Sequence, residues 1–540
     1  MDTIYERRMR QMSSTIRAKP DWMEALKNAE TCAVWAAEAK AKELTDIEFR
    51  YVLDELAYYS LLHSPGSNAR LSAAAGVWFS DTLIDAETTN ELKEYAILLK
   101  SIPECLKDWH PSVRSRVLNL VDPSLYPLIY SRSKLCRQPC TSLQASLNPS
   151  VPGEFPGSLD KWHGALSGSN YYLPTIVKRQ ALHASDKFNW LPSEFRVDDN
   201  GAVTVESYIN NLHPIWHAPL YPIIAGVFSK LLPLLEQVIT DLVHPRKPRV
   251  DFYPDNCYDY GEPKPWRRDF RSYDEYLGAV KAWKEDASYV DPQPKPFALP
   301  ERPISPYSLC GRRLQAIVKM SNIELTSKNP NYGGKGWSLA GLGNERIIAM
   351  GIFFYDVSNV AESSLQFREA LNANHGASDA NEYSAICFAY NLDGHLSGIP
   401  THFSQELGNV EIWDGRCLVF PNVYQHKMPK LARAIKSRPG HCKMLMFYFV
   451  DPSAHIPSTE IVPPQQKDWW IEDVLLSEPF RSMPHLIIDG IMGKIEYPIS
   501  LKEAKEIRQE METKADKAKA GISSKLFNPL SSVTNTNPWY

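Results

Sequence analysis

The C-terminal half of this 540-residue chain contains short apolar runs separated by turn residues. The runs are rich in Ile, Val, Phe and Tyr, and clusters of Gly, Asn, Asp and Pro interrupt them, a pattern typical of β-strands. They lie at 314–325, 345–357, 384–392, 410–423 and 442–450. Within 410–423, the pair Asp414-Gly415 predicts a hairpin turn, because such turns favour residues that tolerate positive φ. This density of strands predicts a jelly roll or another double-sheet barrel.

The rest of the chain divides into regions of different composition. Residues 1–130 place apolar side chains three and four apart, as amphipathic helices do. Residues 131–310 form a mixed connecting region rich in the chain's 41 prolines, with a buried helix near 217–243. Residues 311–490 hold the strands, and 491–540 contain a charged helix and a disordered tail. The sequence thus predicts an α+β fold, with an α-rich N-terminal region packed on a C-terminal double-stranded β-helix.

Composition restricts the class of partner. The apolar fraction is 44%, the charged fraction is 23% and the net charge is −4, so no electrostatic feature favours nucleic acid or a membrane. Prolines and charged residues interrupt the apolar stretch near 217–243, which argues against a membrane span. The charged N-terminus lacks the apolar stretch of a secretory signal. We expect a cytoplasmic protein that binds a small-molecule substrate, and the sequence does not indicate its oligomeric state.

One constellation of residues suggests a chemical site. His426 ends the phrase Phe420-Pro-Asn-Val-Tyr-Gln-His, and Lys443 follows on the next predicted strand. In a double-stranded β-helix, neighbouring strands can hold an imidazole for a metal and a cation for a carboxylate cosubstrate. A single histidine at a strand end is more often structural, so this pattern alone is weak.

Several longer phrases carry a family resemblance. They are Asp108-Trp-His-Pro, Val121-Asp-Pro-Ser-Leu-Tyr-Pro-Leu-Ile-Tyr, Ser207-Tyr-Ile-Asn-Asn-Leu-His-Pro, Leu314-Gln-Ala-Ile-Val-Lys-Met-Ser-Asn-Ile-Glu-Leu-Thr, Gln405-Glu-Leu-Gly, the His426 phrase and Val462-Pro-Pro-Gln-Gln-Lys-Asp-Trp-Trp. With these phrases the chain resembles, over about residues 20–480, a large fungal family known only as a domain of unknown function. That family is similar in fold and motif to iron(II)/2-oxoglutarate dioxygenases.

The resemblance implies a site that this chain does not complete. Such proteins carry Trp-His-x-Glu-Gly on one strand, and its two ligands join a distal histidine in a facial triad for iron. Here the distal histidine corresponds to His426 and the cosubstrate cation to Lys443. The first motif reads Trp337-Ser-Leu-Ala-Gly, so Ser338 and Ala340 occupy the ligand positions. Halogenases of this fold lack only the acidic ligand and keep both histidines. This chain lacks the first histidine as well as the acid, which argues against a halogenase.

Three functional interpretations remain open at this stage. The first is an oxygenase-like protein of fungal small-molecule, or secondary, metabolism, related to iron(II)/2-oxoglutarate dioxygenases, with His395 and His402 as possible substitute ligands. The second is a metal-independent cyclase, isomerase or dehydratase on the same barrel, using His426, Glu406 and Tyr424 as acid and base groups. The third is a catalytically silent protein retained for binding. Resemblance of fold cannot choose among them.

Overall fold

A computed structural model describes residues 2–523 except 20, 63–68, 114–115, 131, 137–151, 155–183, 300–306, 371–379, 392–403, 476–477, 479 and 495–496. The architecture is α+β, with antiparallel sheets. The helices are α1 (Ile4–Arg17), α2 (Trp22–Ala25), α3 (Ala29–Ala41), α4 (Asp46–Leu62), α5 (Ala86–Lys100), α6 (Leu220–Val243), α7 (Tyr273–Glu285), α8 (Ala380–Tyr390), α9 (Lys467–Leu475), α10 (His485–Lys494) and α11 (Leu501–Ile522).

The strands are mostly short outside residues 313–450. They are β1 (Arg70–Leu71), β2 (Trp78–Ser80), β3 (Asp108–Trp109), β4 (Val117–Val121), β5 (Leu128–Ile129), β6 (Lys134–Cys136), β7 (Pro152–Glu154), β8 (Phe188–Asn189), β9 (Ser193–Val197), β10 (Val203–Val205), β11 (Tyr258–Asp259), β12 (Ser288–Tyr289), β13 (Arg313–Leu325), β14 (Asn331–Tyr332), β15 (Ile347–Ser358), β16 (Ser364–Ala370), β17 (Ser404–Glu411), β18 (Cys417–Pro421), β19 (Gln425–Lys427), β20 (Leu431–Ala432) and β21 (Gly440–Val450). The first 130 residues, predicted to be helical, therefore also supply strands β1–β5.

Two sheets organise the C-terminal half. The major sheet has the strand order β1-β2-β18-β15-β21-β13-β4-β3, with β9 and β10 attached through β13. The minor sheet has the order β17-β16-β19. Side chains alternate between the two faces of a strand, so each face of the major sheet has its own core. On β21, Leu445, Phe447 and Phe449 face one core, whereas Met444 and Met446 face the other.

Helix α6 covers one face of the major sheet. Its 24 residues are mainly apolar, and Phe228 stacks on Phe195 at a centroid distance of 4.5 Å while its edge meets Phe447 at 5.4 Å. Among the described residues, α6 is the helix long and apolar enough to cross a membrane, and 67% of its most apolar window is buried. Many of its residues are buried, among them Ile224, Phe228 and Leu231.

The minor sheet covers the opposite face. A second apolar cluster lies between the sheets and includes side chains from β13, β15, β18 and β21 of the major sheet and from β16 and β17 of the minor sheet. The molecule is thus layered: helices, major sheet, interior cluster and minor sheet. We call the space between the two sheets the interior.

Two strand predictions were wrong. Segment 384–392 lies mostly in helix α8 rather than in a strand, because a short apolar run has no decisive period and Ala385 and Ala389 suit a packed helix face. Asp414-Gly415 does not close a hairpin, since β17 pairs with β16 whereas β18 pairs with β15 and β2. The turn instead carries the chain from the minor sheet to the major sheet.

Candidate functional site

The sequence segments around Ser338 and His426 lie side by side. The His426 amide donates to the Ser338 carbonyl, and the Ser338 amide donates to the His426 carbonyl, both at 3.1 Å. Asn422 fixes the next residues, because its side chain accepts from the Ala340 amide and donates to the Ala340 carbonyl, both at 2.9 Å. The degenerate motif is therefore held beside the histidine by paired backbone contacts.

The side chains of these positions face the interior. His426 lies opposite Phe367, whose ring belongs to the interior cluster, and residues directly opposite share a face. Ser338 lies opposite His426 in turn, and Ser338 and Ala340 are each 8% exposed. Trp337 points the other way, where Arg368 lies 4.8 Å from its ring centroid. The structure thus brings the three predicted ligand positions together.

His426 is a neutral histidine with a free nitrogen. Its Nδ1 atom is buried and has no hydrogen-bond partner among the described residues. Burial, and then the positive charges of Lys335 and Lys519, lower the pKa of His426 to about 3. At physiological pH the imidazole is therefore uncharged and can accept a hydrogen bond or a proton.

Lys335 enters the site from a glycine-rich turn. Gly334 adopts φ +79°, which favours glycine, and the Lys335 amide donates to the Met428 carbonyl at 3.0 Å. Lys335 as a whole is exposed, but protein surrounds its ammonium end, and this desolvation, together with the charges of Lys519 and Lys319, lowers the pKa of Lys335 to about 8. A lysine with this pKa can exchange a proton near neutral pH.

Two further lysines, Lys519 and Lys319, add to the positive charge of the site. Lys519 lies on α11, and burial lowers its pKa. Lys319 lies on β13 opposite Met446, so it faces the interior, where its Nζ is 3.3 Å from Asp122 Oδ1. The sequence analysis singled out none of the three lysines, and Lys519 belongs to the charged helix predicted within 491–540.

Lys443 does not face this site. It follows Cys442 on β21, and Cys442 belongs to the interior cluster, so the Lys443 side chain lies on the opposite face. There its Nζ is 2.6 Å from Asp356 Oδ2. His441 Nε2 lies 3.1 Å from the same carboxylate, and Lys93 of α5 lies 3.7 Å from it. Lys443, the residue predicted to bind a cosubstrate, therefore lies in an ion pair on the helical side of the major sheet.

Glu406 is also not brought to His426. Glu406 is exposed and lies opposite Arg368 on the minor sheet. Arg368 lies against the Trp337 ring, on the side that faces away from the interior. Tyr424 packs against the interior cluster, and burial and the nearby Glu369 raise the pKa of Tyr424 well above its ordinary value.

The remaining predicted ligands cannot be placed. His395 and His402 lie outside the described residues, within 392–403.

Comparison with known proteins gives the family. Residues 46–473 match the family described as "Protein of unknown function (DUF4246)". The chain belongs to this family. The resemblance drawn from the sequence is thereby confirmed, and no curated protein matches.

Two solved structures share limited similarity with this DUF4246 protein. A bsmA homolog from Methylobium petroleophilum PM1 has 10% identity and a TM-score of 0.17, covering 27% of this chain and 44% of its own length. The Fe(II)/(alpha)ketoglutarate-dependent dioxygenase TqaL has 10% identity and a TM-score of 0.22, covering 53% of this chain and 77% of its own. At these scores neither likeness bears on the fold or function of the family member.

The described residues do not fit an iron and 2-oxoglutarate site. His426 offers an imidazole nitrogen, but a serine hydroxyl is a poor iron ligand and Ala340 offers no donor, so two arms of the facial triad are missing. On β21 the interior-facing residue is Cys442 rather than Lys443. Lys319 is an interior cation, yet Asp122 already neutralises it.

A different group of possible metal ligands lies elsewhere in the DUF4246 protein. Within the described part of the chain, Glu194, His455 and Glu460 place ligand atoms within 4.8 Å of one another. Arg313 already pairs with Glu460 at 2.7 Å and lies 3.8 Å from Glu194. Because a guanidinium neutralises both carboxylates, this group resembles an ion-pair network more than a metal centre.

Proposed function

We propose that this DUF4246 protein binds a carboxylate-bearing small molecule at the Ser338–His426 site and acts on it by proton transfer, without iron. The cyclase, isomerase or dehydratase class has this chemistry. In this proposal the two facing sheets are the halves of a double-stranded β-helix. The setting in fungal small-molecule metabolism rests on the family resemblance alone.

The observation that carries the proposal is the pairing of Ser338 with His426. The backbone frame of a two-strand site is intact, yet two of the three interior positions carry side chains that do not bind iron. Ser338 and Ala340 have smaller side chains than the histidine and glutamate of the family motif, so they occupy less volume beside His426. That nitrogen lacks a partner among the described residues, which suits a substrate group that donates a hydrogen bond or a proton.

The charges around His426 support an anionic ligand. Burial is the main cause of the lowered pKa values of Lys335, Lys519 and His426; neighbouring lysine charges add to it, and Asp516 and Glu512 partly offset it at the two lysines. A bound carboxylate relieves the repulsion among these lysine charges. Only one of the three lysines, Lys319, has a close ion pair among the described residues.

The two titratable groups suggest distinct roles. Lys335 has a pKa of about 8 and is mostly protonated at neutral pH, whereas His426 has a pKa of about 3 and is unprotonated. Neighbouring groups whose pKa values are driven apart are candidates for acid and base. We assign His426 Nδ1 as the proton acceptor and the Lys335 ammonium as the proton donor. A bound anion raises both pKa values, which strengthens His426 as a base.

The alternative is an iron(II)/2-oxoglutarate dioxygenase with ligands supplied from elsewhere in the chain. The free Nδ1 of His426 favours this alternative as well, because it is an available imidazole donor. His395 and His402 are the candidate additional ligands.

Metal binding distinguishes the two functions. Protein purified without chelator is analysed for iron, and Co(II) binding is followed by its visible absorption bands. We expect no stoichiometric iron in the native protein. We expect the double variant Ser338→His, Ala340→Glu to gain Co(II) binding by at least about tenfold, since it restores the triad. Stoichiometric iron in the native protein that is lost in His426→Ala would establish the dioxygenase alternative instead.

Anion binding tests the rest of the proposal. The probe is 2-oxoglutarate without metal, titrated by calorimetry in buffers of different ionisation enthalpy. We expect binding with proton uptake, because a bound anion raises the pKa of Lys335 and His426. Lys335→Gln should weaken binding by about tenfold, and Lys328→Gln, which changes an exposed lysine on the preceding turn, should not. Equal affinities for both variants would contradict the proposal.

A further inference from the structure

We propose that the second half of helix α11 is a gate over the Ser338–His426 site, and that a small molecule enters when this half moves away. We call residues 512–522 the gate segment. The gate rests on the proposed function, because it takes the Ser338–His426 site as the place where the small molecule binds.

A series of contacts places the gate segment beside the degenerate motif. Lys514 Nζ lies 5.7 Å from the centre of the Phe188 ring, and the Phe188 carbonyl accepts a hydrogen bond from Asn344 Nδ2 at 2.7 Å. The next residue, Glu345, packs against Gly341, because a Cβ added to Gly341 would lie 3.2 Å from Glu345 Oε2. Gly341 is the last residue of the degenerate motif, so these contacts lead from α11 to the site.

The end of the gate segment brings a positive charge to the site. Lys519 lies five residues beyond Lys514, which is about 7.5 Å along a helix axis. Burial is the main cause of the lowered pKa of His426 and of Lys335, and the charge of Lys519 adds to it at both groups. Among the described residues Lys519 has no ion-pair partner, so its ammonium group is available to a bound carboxylate.

The nitrogen that the proposed function requires is closed off from solvent. His426 Nδ1 is buried, and Ser338 beside it is only 8% exposed. Trp337 and Arg368 occupy the opposite side of this pair of strands. A small molecule therefore reaches Nδ1 only when a covering element moves. The two sheets are held by continuous backbone pairing, which leaves α11 as the element that can move at least cost.

The first half of α11 is firmly packed. The buried residues of the described part of this helix are Ala504, Arg508 and Met511, and all three precede the gate segment. Ala504 and Met511 belong to an apolar cluster that includes Phe188, and Arg508 pairs with Asp122 at 3.0 Å. This half therefore anchors the helix.

The gate segment is held by polar contacts at the surface. Glu512 Oε1 lies 3.6 Å from His110 Nε2, but burial lowers the pKa of His110 to about 4, so this histidine is uncharged at neutral pH. Lys514 Nζ lies 3.9 Å from Asp186, whose side chain is 88% exposed. Exposed contacts of this kind contribute little to stability. A segment without buried apolar side chains opens at a lower free-energy cost than the rest of the fold.

The gate segment also lies outside the family match. That match ends at residue 473, whereas α11 begins at Leu501. Lys519 thus reaches the site from a part of the chain that the family assignment does not cover.

Reactivity of His426 with diethyl pyrocarbonate measures opening without any ligand. The reagent modifies uncharged imidazoles, and peptide mass spectrometry of the full-length protein gives a rate for each histidine. The double variant Thr513→Gly, Lys517→Gly changes two exposed positions of the gate segment and weakens the helix there. We expect the rate of His426 to rise by about threefold to tenfold. The exposed His244 is the internal reference, and its rate should not change.

The matched control is Glu506→Gly, Gln509→Gly, which changes two exposed positions in the first half of the same helix. Packing holds this half in place, so the rate of His426 should stay within about twofold of the native value. Thermal unfolding shows whether both double variants are folded. Hydrogen exchange gives an independent measure, since amides of 512–522 should exchange at least about tenfold faster than those of 501–511 in native protein.

A ligand measurement connects the gate to the proposed function. With saturating 2-oxoglutarate, Lys519 gains a carboxylate partner, so amides of the gate segment should exchange at least about threefold more slowly. Lys519→Gln should abolish this protection. Lys517→Gln, at an exposed lysine of the same segment, should retain it.

The outcomes separate the gate from the proposed function. Equal rates of His426 in native protein and the folded gate variant, or an equal increase in the first-half control, would overturn the gate whatever 2-oxoglutarate does. Binding of 2-oxoglutarate without protection of the gate segment would overturn its closure by Lys519. Absence of 2-oxoglutarate binding in native protein would overturn the proposed anion site instead, and the reactivity of His426 would still decide whether α11 opens.

Discussion

At the residue scale, the site depends on which face of a strand a side chain occupies. Cys442 and Lys443 are adjacent, yet one faces the interior and the other joins Asp356 on the helical side. A shift of one residue in an alignment therefore moves a predicted cation across the sheet. Ser338 and Ala340 are two residues apart, so both side chains face the interior. They lie beside His426 there, as the family pattern implies.

We expect His426 to remain neutral over the physiological range. Its pKa is lowered to about 3, so its ring chemical shifts should not titrate between about pH 5 and 8. Removing a nearby positive charge favours protonation, so Lys335→Gln should raise the pKa of His426. Histidine NMR on both proteins measures this change, with Lys328→Gln as the control. A His426 that titrates near 6.5 in the native protein would contradict the expected burial.

The same lowered pKa predicts a dependence of stability on pH. Because the folded pKa of His426 is below the unfolded value, the unfolded state binds more protons as pH falls from about 6.5 towards 3. Native protein should therefore lose stability relative to His426→Gln over this range, by up to about 1.4 kcal/mol per pH unit. Urea unfolding of both proteins at several pH values gives the difference. A constant difference would refute the prediction.

The residues of the site were only partly predictable from sequence. The triplet Ser338, Ala340 and His426 could be found because local phrases mark its two strands. Lys335 and Lys519 could not, because their relevance depends on α11 lying against residues nearly two hundred positions earlier in the chain. A glycine-rich turn two residues before Trp337 was the available signal for Lys335.

At the element scale, the turn at Asp414-Gly415 determines which sheet each flanking strand joins. Gly415 adopts φ +81°, and its amide donates to the Phe354 carbonyl at 2.9 Å. The sequence predicts the turn but not the pairing of the strands on either side of it. A turn motif does not determine whether its two flanking strands pair with each other. Segment 384–392 shows the same limit, because its local apolar pattern allows either helix or strand.

Gly415→Ala should destabilise the fold by about 1 kcal/mol or more, because alanine is strained at this positive φ. The added Cβ meets no clash, since its nearest neighbour, the Asp81 carbonyl oxygen, is 3.9 Å away, so the cost is conformational. Gly490→Ala, in helix α10 with open space around it, should be neutral or stabilising by up to about 1 kcal/mol. Chemical denaturation compares the two. Equal effects would contradict this explanation.

Helix α11 is anchored by a buried charge rather than by its apolar residues alone. Arg508 is 3% exposed and bridges Asp108 and Asp122. The charged helix predicted within 491–540 extends over Leu501–Ile522. Its charged composition concealed the packed face, because sequence alone does not distinguish a buried ion pair from a solvated one.

Arg508→Ala should cost about 3 kcal/mol, because it leaves the partly buried Asp108 without a cationic partner and the buried Asp122 with Lys319 alone. Lys517→Ala, at an exposed position of the same helix, should change stability by less than about 0.5 kcal/mol. Hydrogen exchange measures the effect locally, and α11 amides should lose protection in Arg508→Ala. Unchanged protection would show that the ion pair does not anchor the helix.

At the scale of the whole molecule, α6 and the major sheet share one aromatic core. Phe228→Ala should destabilise the protein by about 3–5 kcal/mol, because Phe228 is fully buried between Phe195 and Phe447. Leu486→Ala, at a side chain that is 86% exposed, should have little effect. Urea unfolding tests both. A small loss for Phe228→Ala would show that the helical layer contributes little to global stability.

The order of strands in the major sheet has a consequence for synthesis of the chain. β21 lies between β13 and β15, yet it follows both in sequence and is the last strand to be made. Until residues 440–450 leave the ribosome, the facing edges of β13 and β15 are unpaired and their apolar faces lack a neighbour. The nascent protein therefore exposes these aggregation-prone edges from the synthesis of β13 until that of β21, about a quarter of the chain, and the major sheet is completed only after about four-fifths of the chain exists.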